Sequence, residues 1–502
     1  MGYPVFYGHR SVFFVGGNGT QAGRTAYAGG CTQDWWDGQC PGGTDAEKTA
    51  AMGKLMVNGG PFADEAVCAF TGVNRRITKT GCFAGVEAGM VAYVVETPVA
   101  GVNIATMRYA ITEVDPAGDW IVIGDATGTD ATVTAKVGGA FDTLQNALDE
   151  TDASCRSVTI YTNLNETPGA SIDVDTGGSV MCNTFKRVVG FGTVPGDMGI
   201  GGGLYQSALS ILQAGAVDAG RCVTLDAGGG ARPVVMIDGA ENFVLENLHL
   251  RNNTVTDAIY FAGAPRNIVL RNCRFSGVQA VIDTAAEHVL LEGCYSDDSV
   301  AGHHFVFRGQ DNVMLGCAAR MAAGTNLANF FGRSSAVIGC ILVGGQFGVR
   351  GINAGAGVLV LGSTFYNTGS GGIVSDTADA MTVINNVFCL APGAVGIYVR
   401  TGGSVVHNDY NAFIASDGSA LTPAASGCVG GEAPAVGPHS LRVDPQFADA
   451  THCDFRVRNA AILRGGRPGP DGRATAMGAI GQEAVGALRA RMMNAGRAGI
   501  LR

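Results

Sequence analysis

Between Glu241 and Phe413 the chain repeats one short phrase: alternating apolar residues, then Asn or Gly, then a small residue. The apolar pairs are Phe243 and Leu245, Ile268 and Leu270, Val289 and Leu291, Val358 and Val360, Met381 and Val383. One residue separates the members of each pair, so both side chains lie on the same face of a strand. An anchor follows at Asn247, Asn272, Gly293, Gly316, Gly339, Gly362, Asn385 and Asn408. The first two intervals are 25 and 21 residues and the next five are 23. A fixed period of this size, with strand-like alternation inside it, predicts a solenoid.

Each unit holds further short strands. Phe275, Phe365 and Phe388 recur three places after their anchors, and another run follows, AIYF from Ala258 and GIYV from Gly396 among them. No helix-length apolar pattern separates these runs, and the leucine-rich repeat signature is missing. The prediction is an all-β, right-handed parallel β-helix of about 23 residues per coil. Eight coils stacked about 4.8 Å apart span roughly 38 Å. Cys273, Cys294, Cys317 and Cys340 occupy the slot after four consecutive anchors, which reads as an interior ladder of reduced thiols. C-x-x-C pairs that would bring metal ligands together are lacking, so no metal is expected.

The flanking text divides the chain further. Residues 1–64 are irregular, with one helix expected over 44–56, opened by Thr44 and Asp45. Trp35 and Trp36 read as packing residues ahead of a sugar platform. Residues 65–136 carry the runs AVCAFTGV, GMVAYVVET, MRYAITEVD and DWIVIGDA, separated by Gly or Pro, and predict a small β domain. Its phrasing resembles β modules placed ahead of fibres and spikes on bacteriophage particles.

At Val137 a short amphipathic helix begins, with Phe141, Leu144 and Leu148 on one face. This A-F-x-T-L-Q-x-A-L-D pattern, running into the strand SVTIYTN, resembles the N-terminal cap of right-handed parallel β-helix proteins, the pectate-lyase-like group. A cap is physically required, because an open solenoid end exposes core and unpaired strand edges. Residues 137–413 are therefore read as the β-helix, with 196–220 looped out on one flank. The segment 414–481 resembles the closing segment of the same group through Asp444-Pro445-Gln446-Phe447, Asp454-Phe455-Arg456-Val457 and Gly478-Ala479. Its usual Ser-Pro-Ala-Ile is replaced by Asn459-Ala460-Ala461-Ile462. Residues 482–502 predict a docked terminal helix with four arginines.

Composition narrows the partners. Among 502 residues, 77 are Gly and only 15% are charged, which suits tight turns and a long stacked core. A net charge of −10 argues against nucleic acid. The first ten residues lack the pattern of a signal peptide, and no apolar run is long enough to span a membrane. Of the 14 cysteines, Cys31 with Cys40, Cys68 with Cys82, and Cys428 with Cys453 are candidate disulfides whose state the sequence leaves open.

Chemistry concentrates between Asp283 and Arg308. Asp283, Asp297, Asp298, His303 and Arg308 are the candidate catalytic residues, with Glu287, Glu292 and His304 close by. The order Asp297-Asp298 then Gly302-His303-His304 resembles the Asp pair and Gly-His-Gly of polygalacturonases, with a shorter gap and His304 in place of the last Gly. Asp283 and Arg308 are expected in one column, one coil apart, where a salt bridge is the default. The carboxylates do not recur from Gly316 to Asn385, where outward faces read as Gly, Ser, Thr and Ala. Tyr260, Tyr295 and Tyr366 are candidate sugar-binding residues. No cofactor is expected, calcium entering only if the chain is a lyase.

Three function classes compete. The favoured one is a virion surface protein: a phage-like spike, fibre or capsid decoration. It attaches to other virion proteins through residues 1–136, assembles as a homotrimer and turns its β-helix outward to host-surface polysaccharide. A polysaccharide lyase or glycoside hydrolase is second, and a bacterial surface adhesin third. The reading leans against an enzyme.

Overall fold

The computed structural model describes residues 9–15, 30–55, 66–96, 107–124, 126, 128–137, 140–141, 143–150, 155–175, 185–228, 232–283, 286–297, 303–321, 326–352, 357–376, 380–400, 404–426, 433–468 and 475–478. The chain forms a right-handed parallel β-helix of about 9 turns, roughly 24 residues each, after a β-rich N-terminal region.

Three stacks of short strands build the solenoid. The first runs from Cys155–Thr162 through Phe185–Gly190, Phe243–Glu246, Arg266–Arg271 and Glu287–Glu292 to Ser404–Asp409, each strand parallel to the next. The second includes Tyr295–Asp297, Ala318–Met321, Ile341–Gly344, Thr364–Tyr366 and Val387–Leu390. The third includes Phe305–Phe307, Asn326–Phe330, Phe347–Gly351, Gly371–Ser375 and Val395–Val399.

The repeated anchor is the corner between the first two stacks. Asn247, Asn272, Gly293, Gly316, Gly339, Gly362 and Asn385 all have φ between 51° and 61° or at 62°. This left-handed conformation is open to Gly and tolerated by Asn, which is why those two residues alternate there. The last anchor departs from the expected position. An extra residue enters the strand Ser404–Asp409, where Met381 faces Val405 but Thr382 faces His407. Val406, skipped by the pairing, is 66% exposed, and the corner moves from Asn408 to Tyr410 with φ 56°.

The slot behind each corner points inward. Cys273, Cys294, Cys317 and Cys340 are buried there, and their thiols donate to Leu245 O at 3.4 Å, Leu270 O at 3.2 Å, Leu291 O at 3.4 Å and Met314 O at 3.7 Å. Ser363, Asn386 and Asn411 continue the ladder. Asn386 Nδ2 donates to Val360 O at 3.0 Å, and Asn411 Nδ2 to Val383 O at 2.9 Å. A buried polar ladder persists because every member has a carbonyl within reach.

Aromatic rings fill the remaining core, and they change sides along the axis. Phe307 stacks on Phe330 at 5.0 Å in the third stack, where the second stack offers only Ser296 and Ala319. Further along, Phe365, Phe388 and Phe413 stack at 4.8 and 4.9 Å in the second stack. Opposite them the third stack carries Gly348, Gly372 and Gly396, where an added Cβ would lie 2.6 Å from each ring's Cε1. Volume is conserved across the core by pairing a large residue with a small one.

The N-terminal opening is closed by the helix Leu144–Glu150. Phe141, Leu144, Ala147 and Leu148 are buried in the solenoid core. Glu166 Oε1 accepts from Leu144 N at 2.9 Å, and Lys186 Nζ donates to Leu148 O at 3.4 Å, so side chains satisfy both ends. Above the cap, Ala66–Thr71, Arg76–Thr78, Trp120–Ile123, Met107–Val114, Met90–Glu96 and Ala131–Val137 pair antiparallel in a closed ring of six. The strand His9–Val15 joins this barrel region to the solenoid. It lies antiparallel to Gly30–Thr32 on one side and parallel to Cys155–Thr162 on the other. The helix Asp45–Leu55 begins with a reciprocal cap: Thr44 N donates to Glu47 Oε2 at 2.9 Å and Glu47 N to Thr44 Oγ1 at 3.3 Å.

One open question is answered here and one expectation is corrected. Cys31, Cys40, Cys68, Cys82 and Cys453 all carry free thiols. Cys31 and Cys68 turn into the barrel-region core, while Cys40 and Cys82 lie half-buried at its edge. Cys428 lies outside the described residues, as does the helix expected over 482–502. Secondly, the outward face of the first stack is not made of small residues. Its last column reads Glu246, Arg271, Glu292, Leu315, Ile338, Leu361 and Ile384.

Candidate functional site

The strand assignments spread the predicted acidic run over all three stacks. Glu287 and Glu292 end a first-stack strand, Asp297 closes the second-stack strand Tyr295–Asp297, and Asp283 closes the third-stack strand Arg274–Asp283. Asp283 is described only by its backbone, opposite Phe261. Asp298 lies outside the described residues. Register places Ile282 beside Val306, which carries Asp283 to the level of Phe307 and not of Arg308. Arg308 is exposed beyond that strand, its guanidinium 5.6 Å from the Phe331 ring centre. His303 is half-buried, and burial, with Arg350 nearby, lowers its pKa.

His304 has become part of the core. It is wholly buried and shares a 2.5 Å hydrogen bond with Ser296, which stands in the register column of Phe275. Burial lowers its pKa to about 3, so the imidazole is neutral. Among the described residues, no group of three or more His, Cys, Asp or Glu is placed to hold a metal ion.

The tyrosines also divide. Tyr260 is half-buried in the third stack between Met236 and Ile282. Tyr295 is fully buried, packed with Ala208, Ile211 and Leu212 of the helix Ala208–Ala214, and offers no ring face to a sugar. Tyr366 packs 4.9 Å from Phe455 and 6.1 Å from Phe447 of the closing segment. The helix Ala208–Ala214 and the closing segment thus pack on the second stack, over Tyr295 and against the half-buried Tyr366.

A cleft of about 440 Å³ opens where the N-terminal helices meet the first stack. Trp36, Lys48, Tyr161, Arg187, Gly196 and Ile200 are among the residues that line it. Its far side is a row of alternating charge. Arg187 pairs with Glu246 at 2.6 Å, Arg271 bonds both Glu246 and Glu292, the latter at 2.7 Å, and Glu292 completes the row. The two carboxylates are 5% and 9% exposed, and the guanidinium of Arg271 is 32% exposed. Burial opposes the charge on Arg271, but Glu246 and Glu292 outweigh it and raise its pKa.

This arrangement is poorly suited to acid–base catalysis. Each carboxylate is already committed to an arginine. What the cleft presents is planar polar groups beside an aromatic cluster, with Trp36 and Tyr161 rings 6.0 Å apart. Its volume is within the range of small-ligand sites. Trp36 itself packs on Phe14 at 5.5 Å, and Trp35 Nε1 donates to Glu87 at 3.1 Å, so both tryptophans are packing residues first. Sequence reasoning overlooked Glu246 and Arg271. The signal was present: opposite charges stand immediately before three consecutive anchors, at Glu246, Arg271 and Glu292.

Residues 233–388 match the family model described as the right handed beta helix region. No curated protein matches the chain. Among solved structures, the chain is similar to the tailspike protein gp49 from Pseudomonas phage LKA1, with 10% identity and a TM-score of 0.20. That likeness covers 68% of this chain and 66% of the tailspike chain.

Proposed function

We propose that this chain is a virion surface protein of the phage spike or fibre kind. Residues 1–136 attach it to other virion proteins, and the β-helix stands outward as a homotrimer that recognises host-surface polysaccharide. One observation carries the reading: the strand His9–Val15 belongs at once to the barrel-side sheet and to the first stack of the solenoid. A continuous ladder of backbone hydrogen bonds makes a stiff connection, as a displayed shaft requires, where a free enzyme needs none. The cleft supports binding over cleavage, because its two acids are held by arginines. Among the described residues no helix is long and apolar enough to cross a membrane.

The test is the copy number of the chain in purified particles of the virus that carries its gene, by quantitative mass spectrometry against the major capsid protein. A few trimers per particle is the expected result. Copies in the hundreds would reassign it to head decoration, and complete absence would overturn the reading.

A further inference from the structure

The outward face of the first stack carries two neighbouring apolar columns. One reads Leu290, Val313, Ala336 and Leu359; the other reads Leu315, Ile338, Leu361 and Ile384. Alternation along each strand requires these side chains to point away from the core, since Met314, Val337, Val360 and Val383 fill it. Yet Leu315, Ile338 and Ile384 are each only 5% exposed. An outward apolar stripe of this kind is a docking surface.

We infer that the stripe is the seat of the chain's own last segment, residues 479–502, which binds it as an amphipathic helix. Three observations select this occupant. First, the described chain ends at the stripe: Gly478 N donates to Asn385 O at 2.6 Å, and Gly478 O lies 4.0 Å from the position of a Cβ on Gly362. Only Ala479, Ile480 and Gly481 separate that point from the helical pattern, a reach of about 10 Å. The segment is therefore held beside the stripe at high effective concentration.

Second, the segment has the matching face. Val485, Leu488, Met492 and Ala495 fall at helical spacing on one side, with Arg489 and Arg491 at its two edges and Glu483 and Asn494 opposite. Third, the lengths agree. Fourteen residues from Gln482 to Ala495 make a helix of about 21 Å. Four coil steps from Ile384 back to Glu292 cover about 19 Å. Gly486 and the short length leave such a helix marginal by itself, so the stripe supplies what the segment lacks.

The test places the photo-crosslinker p-benzoylphenylalanine at Leu488 of the full chain, expressed as a mixture of ¹⁴N and ¹⁵N protein. The expected product is a link within one chain, from position 488 to peptides containing Val313–Leu315 or Ser335–Ile338. The same probe at Asn494, on the opposite face, should give at least a several-fold lower yield of that product, and Ile338→Asp should lower the yield from position 488 as well. Links joining ¹⁴N to ¹⁵N chains would overturn the proposal by making the stripe an interface between copies. Equal yields from positions 488 and 494, links to other surfaces, or no link at all would also overturn it.

Discussion

Gly372 and the ring of Phe388 lie so close that a Cβ on the glycine would stand 2.6 Å from the ring's Cε1. The same Cβ would meet Gly396 O at 2.9 Å, so both the ring and a backbone carbonyl oppose any side chain. Gly372→Ala should therefore cost about 1–3 kcal/mol, the usual range for overpacking a filled core. Adding Phe388→Leu to Gly372→Ala should recover part of that loss, although Phe388→Leu alone is destabilising. Denaturant midpoints of the two single variants and the double variant decide it. Strictly additive losses would mean the glycine is not there to admit the ring.

How far the sequence could reveal this depended on locality. The anchors were legible because each corner needs one left-handed residue, and Gly and Asn announce it within a single position. The cap was legible because Leu144 and Leu148 follow the helical period, although Phe141, expected on the same helix face, precedes the helix and lies in a parallel bridge to Val15. The corner at Tyr410 was hidden, since a bulge at Val406 displaced it and neither residue type marks the change. Tyr295 was misjudged because its cover, Ala208–Ala214, packs from more than 80 residues earlier in the chain. The strand His9–Val15 finds its partner Cys155–Thr162 more than 140 residues away, and no local signal encodes such a pairing.

Acid should weaken the fold between pH 6 and 4 through two buried histidines. Burial lowers the pKa of His249 to about 4 and that of His304 to about 3. Below pH 6.5 the unfolded chain binds a proton at each site and the folded chain does not, so stability falls on acidification by about 1.4 kcal/mol per pH unit per histidine. Asp257 works the other way. Burial raises its pKa to about 6, so the folded chain keeps a proton that the unfolded chain loses above pH 3.8. The three together leave a net slope of about 1.4 kcal/mol per pH unit. His304→Gln should flatten that slope and Asp257→Asn should roughly double it, read from urea titrations at half-unit steps. A slope unchanged by His304→Gln would mean that this imidazole is charged in the fold.

Thiol chemistry should separate the ladder from the edge. Burial holds Cys273 and Cys317 well above the ordinary thiol range, and all four ladder thiols are 1% exposed or less. Native protein treated with iodoacetamide near pH 8 should be alkylated at the half-buried Cys40 and Cys82, with the ladder peptides unmodified until guanidinium is added. Alkylation of Cys294 or Cys317 at the same rate as Cys40, read by peptide mass spectrometry, would contradict the ladder.

Arg271 should matter more than a surface arginine, because it bridges two carboxylates that are 5% and 9% exposed. Removing one partner of a buried ion pair leaves the other charged and desolvated, which costs about 3–5 kcal/mol when burial is complete. Here the arginine is one-third exposed and Glu246 keeps Arg187 at 2.6 Å, so Arg271→Leu should cost roughly 2–3 kcal/mol at pH 7. Glu292 shares in that loss, because its carboxylate lies 2.7 Å from the Arg271 guanidinium. Arg271→Leu with Glu292→Gln should cost less than the sum of the two single changes, as two directly paired side chains require. A cost below about 0.5 kcal/mol is what an exposed pair would give, and it would mean that the charge row contributes little to closing the cleft.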